Sequence, residues 1–178
     1  MAWKGYSNTR DRIFGETADN VVRYAPCDLM MLKVGGKDFR TCLFPTAGGP
    51  NAQLAADLLN ALTKALDLDV TTGYVVPPDA TEEERHSARS WIDKTLTHMH
   101  VDVPVEKRLI EAKSVAGGLA KASLDFDLVV IGAAKEPVFR KILIGEIPQK
   151  VARYSPASVL VVKRYVGPFK TLFKRILG

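Results

Sequence analysis

LVVIGAAK, residues 128–135, is the stretch on which the fold turns. Leu128 to Ile131 are apolar without a break, the pattern of a strand covered on both faces in a parallel sheet. Gly132-Ala133-Ala134-Lys135 then turn the chain, and Gly145-Glu146 open a helical stretch to Tyr154. SVLVV, residues 158–162, follows as the last strand. Working backward, FRTCLFP (39–45) reads as a buried strand ended by the turn cluster Ala47-Gly48-Gly49-Pro50. Residues 51–66 set Leu54, Leu58, Leu62 and Ala65 on one helical stripe. Residues 70–76 are a second strand, stopped by Pro77-Pro78. Thr81 with Glu84 makes a capping box for a helix reaching Met99, with Ala88, Trp91 or Ile92, Leu96 and Met99 turned inward. Residues 103–110 form a more polar strand, suited to an edge, and Ser114 caps a short helix to Ser123 that Gly117-Gly118 weaken. Five strands alternating with four helices require right-handed crossovers, which predicts an α/β, doubly wound, five-stranded parallel sheet.

Composition narrows the functional classes. Of the 178 residues 47% are hydrophobic and 25% charged, the balance of a soluble globular chain. No apolar run reaches the 18–20 residues or so of a membrane span. The net charge of +5 is local: Lys163, Arg164, Lys170, Lys174 and Arg175 carry it at the end of the chain, and the remaining basic residues balance the acids. Such a distribution is not the basic stripe of a nucleic-acid reader. Cys27 and Cys42 have no metal-site or disulfide spacing and are expected to be reduced, mostly buried thiols of a cytoplasmic protein. His98 and His100 lie two apart and share no helix face, so metal binding is not expected. Asp125 and Asp127 could chelate magnesium, but a polar entry to the following strand is the simpler reading. Nothing in the spacing demands an enzyme.

An internal repeat is the most informative feature. Shifted by 130 residues, Arg10, Gly15, Glu16, Val21, Arg23, Tyr24, Pro26 and Lys33 fall on identical residues at 140, 145, 146, 151, 153, 154, 156 and 163. Leu29 to Leu32 fall on Val159 to Val162, keeping the apolar pattern. Residues 1–34 are therefore expected to be the final loop, helix and strand of a preceding copy, and the chain a fragment of a longer protein. The expected division is that remnant, a complete domain over 38–163, and a basic amphipathic tail over 164–178. In the tail Phe169, Leu172, Phe173, Ile176 and Leu177 recur at helical spacing, suited to a membrane surface, a partner, or the protein's own domain. The strand Asp28–Val34 has no sheet of its own, and residues 158–163 form an edge strand that needs a partner; helix Glu16–Tyr24 is expected beside the added strand, burying Val21 and Val22. The far edge of that strand would stay open, which predicts a homodimer.

In a doubly wound sheet ligands sit beyond the carboxyl ends of the strands, where strand order reverses. Those turns follow Pro45 and Ile131. The second of them resembles the universal stress protein family, whose nucleotide-binding members carry G-x2-G-x9-G-(S/T) there. The turns Arg23-Tyr24-Ala25-Pro26-Cys27 and Arg153-Tyr154-Ser155-Pro156-Ala157 are also similar to the family. The resemblance implies an adenine-nucleotide alpha-hydrolase-like fold with strand order 3-2-1-4-5. It implies ATP or AMP as ligand and places Pro45, Thr46, Ala47, Val75, Gly132, Lys135, Gly145 and Glu146 at the site. It also implies dimers joined by antiparallel pairing of the final strands, and therefore residues 28–34 paired antiparallel with residues 158–163, in the same or a neighbouring chain. This chain departs from the motif at three positions: Lys135 stands for the second glycine, Glu146 for the Ser/Thr, and Ala47 for an acid after the first strand. A carboxylate at the helix start would repel a γ-phosphate. The expectation is a phosphate loop kept as scaffold in a regulatory or sensing domain, with no certain cofactor. Trp3-Lys4-Gly5-Tyr6 and the run from Pro45 to Ala52 look like the cytoplasmic tails of prokaryotic amino-acid permeases and related transporters. They imply a membrane-embedded partner domain in the parent chain. The alternative is a soluble stress protein binding ATP or AMP through Gly132, Lys135 and Gly145.

Overall fold

The computed structural model describes residues 2–3, 16–36, 38–99, 104–134 and 144–165. The elements in chain order are β1 (Ala2–Trp3), α1 (Glu16–Tyr24), β2 (Leu29–Lys33), β3 (Thr41–Pro45), α2 (Pro50–Leu66), β4 (Asp69–Val76), α3 (Glu82–Leu96), β5 (Glu106–Glu111), α4 (Val115–Ala122), β6 (Leu128–Gly132), α5 (Glu146–Tyr154) and β7 (Ser158–Lys163). The expected helical tail, Phe169–Leu177, lies outside the described residues, as do Lys135 and His100.

Strands β5-β4-β3-β6-β7 are adjacent in that order and parallel throughout, the doubly wound 3-2-1-4-5 arrangement. The sheet does not stop at five. β2 adds to β7 antiparallel and β1 to β2 in parallel, making seven strands. Period-two alternation divides the core into two layers. Cys42, Phe44, Leu128, Val130 and Val162 pack under α2 with Ala55, Ala56 and Leu59. Leu43, Val129, Ile131, Val159 and Val161 pack on the other side with Leu119 of α4, Val151 of α5, and Val22 of α1. Burial pushes the Cys42 thiol up to about 12 and keeps it protonated. Cys27, by contrast, is exposed in the turn before β2, so only one of the two thiols is buried.

Local signals set most element ends. Thr81 and Glu84 form the reciprocal capping box of α3. Ser114 accepts the Gly117 amide at the start of α4. Asp127 lies before β6, and its carboxylate accepts the amides of Arg40 and Thr41 and the Thr41 hydroxyl, each at 3.0 Å. Asp125 instead faces Arg108 at 3.3 Å, so the two aspartates serve different partners. As the polarity of its residues suggested, β5 is an edge strand. Its charged side chains, among them Lys107 paired with Asp93 at 2.6 Å, deter pairing with another sheet.

The β2–β7 seam reproduces the sequence repeat in space. Met31 pairs with Val161, its own counterpart under the 130-residue shift, while Leu29 faces Lys163 and Lys33 faces Val159. Antiparallel pairing centred on equivalent residues is the relation a two-fold axis produces. The β1–β2 register, Ala2 with Leu32, likewise repeats the β6–β7 register, Gly132 with Val162. Lysines close both sides of the seam: Lys33 Nζ donates to the carbonyls of Ser155 and Ala157, and Lys163 Nζ donates to that of Val22 at 2.9 Å. Of the two valines expected inside α1, Val22 is buried but Val21 is exposed. Its counterpart Val151 is covered because α4 packs on α5, and α1 has no such neighbour among the described residues.

Candidate functional site

The cleft opens where strand order reverses, between the ends of β3 and β6, and has a volume of about 420 Å³. That is within the range of sites for small molecules and cofactors. Pro45 to Ala52 form one wall and Ile131 to Ala134 another. Gly73 and Val75 of β4, with Trp91, Val115 and Leu119, close the α3–α4 end, and Ile147 and Pro148 of α5 the opposite end. No titratable side chain is among these lining residues.

The first wall is held by a chain of hydrogen bonds. The Gly48 amide donates to Thr46 Oγ1 at 3.1 Å, Thr46 Oγ1 lies 2.7 Å from Thr95 Oγ1, and Thr95 donates to the Trp91 carbonyl at 3.0 Å. Because each hydroxyl has one proton, Thr46 must donate to Thr95. Gly48 has φ +74°, and a Cβ there would meet the Cζ3 and Cε3 atoms of Trp91 at 2.8 and 2.9 Å. The turn and the indole edge thus require each other. Gly49, at φ 92°, begins α2 without a side-chain cap, and Pro50 supplies the first helical residue with no amide hydrogen to satisfy.

The second wall is tied to the first by Asn51. Its side-chain amide donates to the Ala133 carbonyl at 2.7 Å, and its carbonyl oxygen accepts the Arg164 amide at 2.8 Å. Gly132 lies so close beneath α2 that a Cβ would come within 2.9 Å of the Asn51 carbonyl carbon. Its glycine therefore serves helix packing, where the motif alone suggested phosphate approach. The amides of Ala133 and Ala134 already donate to Val162 and Ile144 carbonyls, at 2.7 and 2.8 Å.

Six of the eight residues singled out in the sequence assemble around this cleft: Pro45, Thr46, Ala47, Val75 and Gly132 line it, and Gly145 backs onto Ala134. Gly145 has φ +93° and caps α5 with no side-chain hydrogen bond. Glu146 is exposed and turned to Lys150, 2.5 Å away, which holds its carboxyl below the usual carboxylate range. Lys135 lies outside the described residues. Trp91 was named only as a choice with Ile92 for the buried face. Ile92 took the buried position, which leaves the indole one step round the helix and facing the cleft. Asn51, Val115 and Leu119 carried no chemical signal of their own and were missed as cleft residues. Among the described residues no cluster of His, Cys, Asp and Glu could hold a metal ion, and His98 instead meets Gln53 at 3.2 Å.

A family model for the universal stress protein family matches residues 38–163. The chain belongs to the universal stress protein family. A universal stress protein from Archaeoglobus fulgidus superposes with a TM-score of 0.61 at 17% identity, over 93% of this chain and 60% of that one. A universal stress protein in complex with cAMP superposes with a TM-score of 0.53 at 21% identity, over 72% of this chain and 99% of that one. The Na+/H+ antiporter NhaS5 of Synechocystis sp. is 21% identical over 165 residues, 90% of this chain. The chain spans about a quarter, 24%, of that antiporter's length. The structural likenesses agree with the doubly wound fold. No helix among the described residues of this universal stress protein domain is long and apolar enough to cross a membrane.

Proposed function

We propose that this universal stress protein domain is a regulatory, ligand-sensing part of a longer membrane-transport protein. It sits at the cytoplasmic face, preceded by the rest of a first, homologous domain. The observation that carries the reading is the similarity to an Na+/H+ antiporter over 90% of this chain, a longer span than residues 38–163 alone. The seam supports the tandem arrangement, because β2 occupies in cis the edge of β7 that a second copy would otherwise take. The transported solute is that of a cation or amino-acid carrier, and the domain responds to a second molecule in its cleft.

That molecule is an adenine mononucleotide of the AMP type. The cleft has the volume for it, and a fold relative is known in complex with cAMP. ATP binds less well: the Ala133 and Ala134 amides are engaged within the protein, and Glu146 places a carboxylate at the start of α5. The described residues of the lining are apolar or uncharged, which suits binding of a ligand. The test is fractionation of the native host with antibody to this domain. The antigen should sediment with membranes, resist a carbonate wash, and belong to a polypeptide much longer than 178 residues. A soluble antigen of the chain's own length contradicts the transporter reading and favours a free-standing AMP- or ATP-binding stress protein.

A further inference from the structure

We infer that Trp91 is the residue on which the planar ring of the ligand stacks, and that it sets the cleft's preference for a heteroaromatic base. The inference rests on the adenine-ligand reading above and assigns that reading a recognition residue. Trp91 lines the cleft and is 40% exposed. It is not a loose surface side chain. The Gly48–Thr46–Thr95 hydrogen bonds hold the turn against the backbone carbonyl of Trp91, and the Cε3–Cζ3 edge of the indole abuts Gly48. Lys94 Nζ lies 5.1 Å from the ring centroid, a cation–π contact that further restrains the indole.

The surroundings suit a flat, uncharged ring. Val75, Val115 and Leu119 close the same end of the cleft with apolar surface. Val115 is itself exposed, so this end opens as an apolar slot lined by one aromatic and three aliphatic side chains. A phosphate gains nothing there, whereas a base gains both stacking and burial. The ligand therefore enters with its base toward α3 and α4, leaving the sugar and phosphate toward α2 and α5.

AMP and ribose 5-phosphate are the probes, titrated by calorimetry into the wild-type protein and into Trp91→Phe and Trp91→Ala. Trp91→Ala should weaken AMP about 5- to 150-fold, the range seen when a stacking aromatic is truncated. Trp91→Phe should retain most of the affinity. Ribose 5-phosphate, which has no ring to stack, should bind all three proteins alike. A Trp3→Phe background leaves Trp91 as the sole indole of the chain, and AMP should quench its emission. AMP binding with unchanged affinity in a folded Trp91→Ala protein overturns the inference and leaves the ligand reading standing. An equal loss for ribose 5-phosphate also overturns it, because the indole would then act on cleft shape alone. Failure of AMP to bind the wild-type protein overturns the ligand reading and the inference with it.

Discussion

Gly132→Ala separates a glycine kept for packing from one kept for a ligand. Gly132 has no positive φ, so alanine meets no backbone strain and the effect is steric. The new methyl would lie 2.9 Å from the Asn51 carbonyl carbon, 3.0 Å from Asn51 Cβ and 3.1 Å from the Ala52 amide nitrogen. Two of those three atoms are helix backbone, so relief requires the first turn of α2 to lift from β6. Such overpacking costs about 1–3 kcal/mol. For a domain of this size that corresponds to a fall in Tm of roughly 2–12 °C. The lift should also strain the Asn51 bonds to Ala133 and Arg164, so amide exchange at Arg164 should quicken in the same variant. Thermal unfolding without added ligand, together with hydrogen exchange, provides the assay. An unchanged Tm and unchanged exchange at Arg164 would refute the packing argument and return Gly132 to a purely ligand-facing role.

Three further substitutions probe the frame around the cleft. Thr72 Oγ1 is buried and has no hydrogen-bond partner among the described residues, so Thr72→Val should raise stability by about 1 kcal/mol in denaturant unfolding; a loss would reveal a partner for that hydroxyl. The Thr41 amide, the Arg40 amide and the Thr41 hydroxyl hold the Asp127 carboxyl below its ordinary value. Its stabilisation is thus present above the unfolded pKa near 4 and disappears as pH falls through the folded one. Asp127→Asn should cost about 1–3 kcal/mol at pH 7 and flatten the stability profile below pH 4; an unaltered acid limb counts against the clasp. Met31 is almost fully buried where it pairs with Val161, so Met31→Asp should open the seam and make residues 16–36 sensitive to limited proteolysis. Retained protection would show that the seam does not hold α1 and β2.

The sheet was legible in the sequence because its strands differ in kind. LVVI at 128–131 has no polar face, which announces a strand between two helical layers, while the charges of 106–111 announce an edge. The repeat also carried three-dimensional information: identical residues 130 apart marked β2 as the counterpart of β7, and the family resemblance supplied their antiparallel pairing. What periodicity could not resolve was a one-residue choice on a helix. Trp91 and Ile92 both fit the inward stripe of α3, and only the packing of Gly48 and Thr95 decided that the indole faces the cleft. Val21 failed for the opposite reason, since its burial depends on a helix in the position of α4, which no pattern within α1 reports. Gly132 was located by its motif, but its close packing on Asn51 and Ala52 was not legible, because a motif records where a glycine sits and not which neighbour requires it.

The claim of an adenine-sensing cleft meets its most direct test in a thermal-shift titration of the full 178-residue chain with AMP, run beside ATP. A ligand at a hundred times its dissociation constant stabilises by about 2.7 kcal/mol, a shift of several degrees. AMP should raise Tm along a saturating curve, and ATP near 1 mM should leave it almost unchanged. A flat response to AMP would contradict the adenine-sensing cleft, and a larger shift with ATP would contradict the argument from Glu146 and the engaged amides.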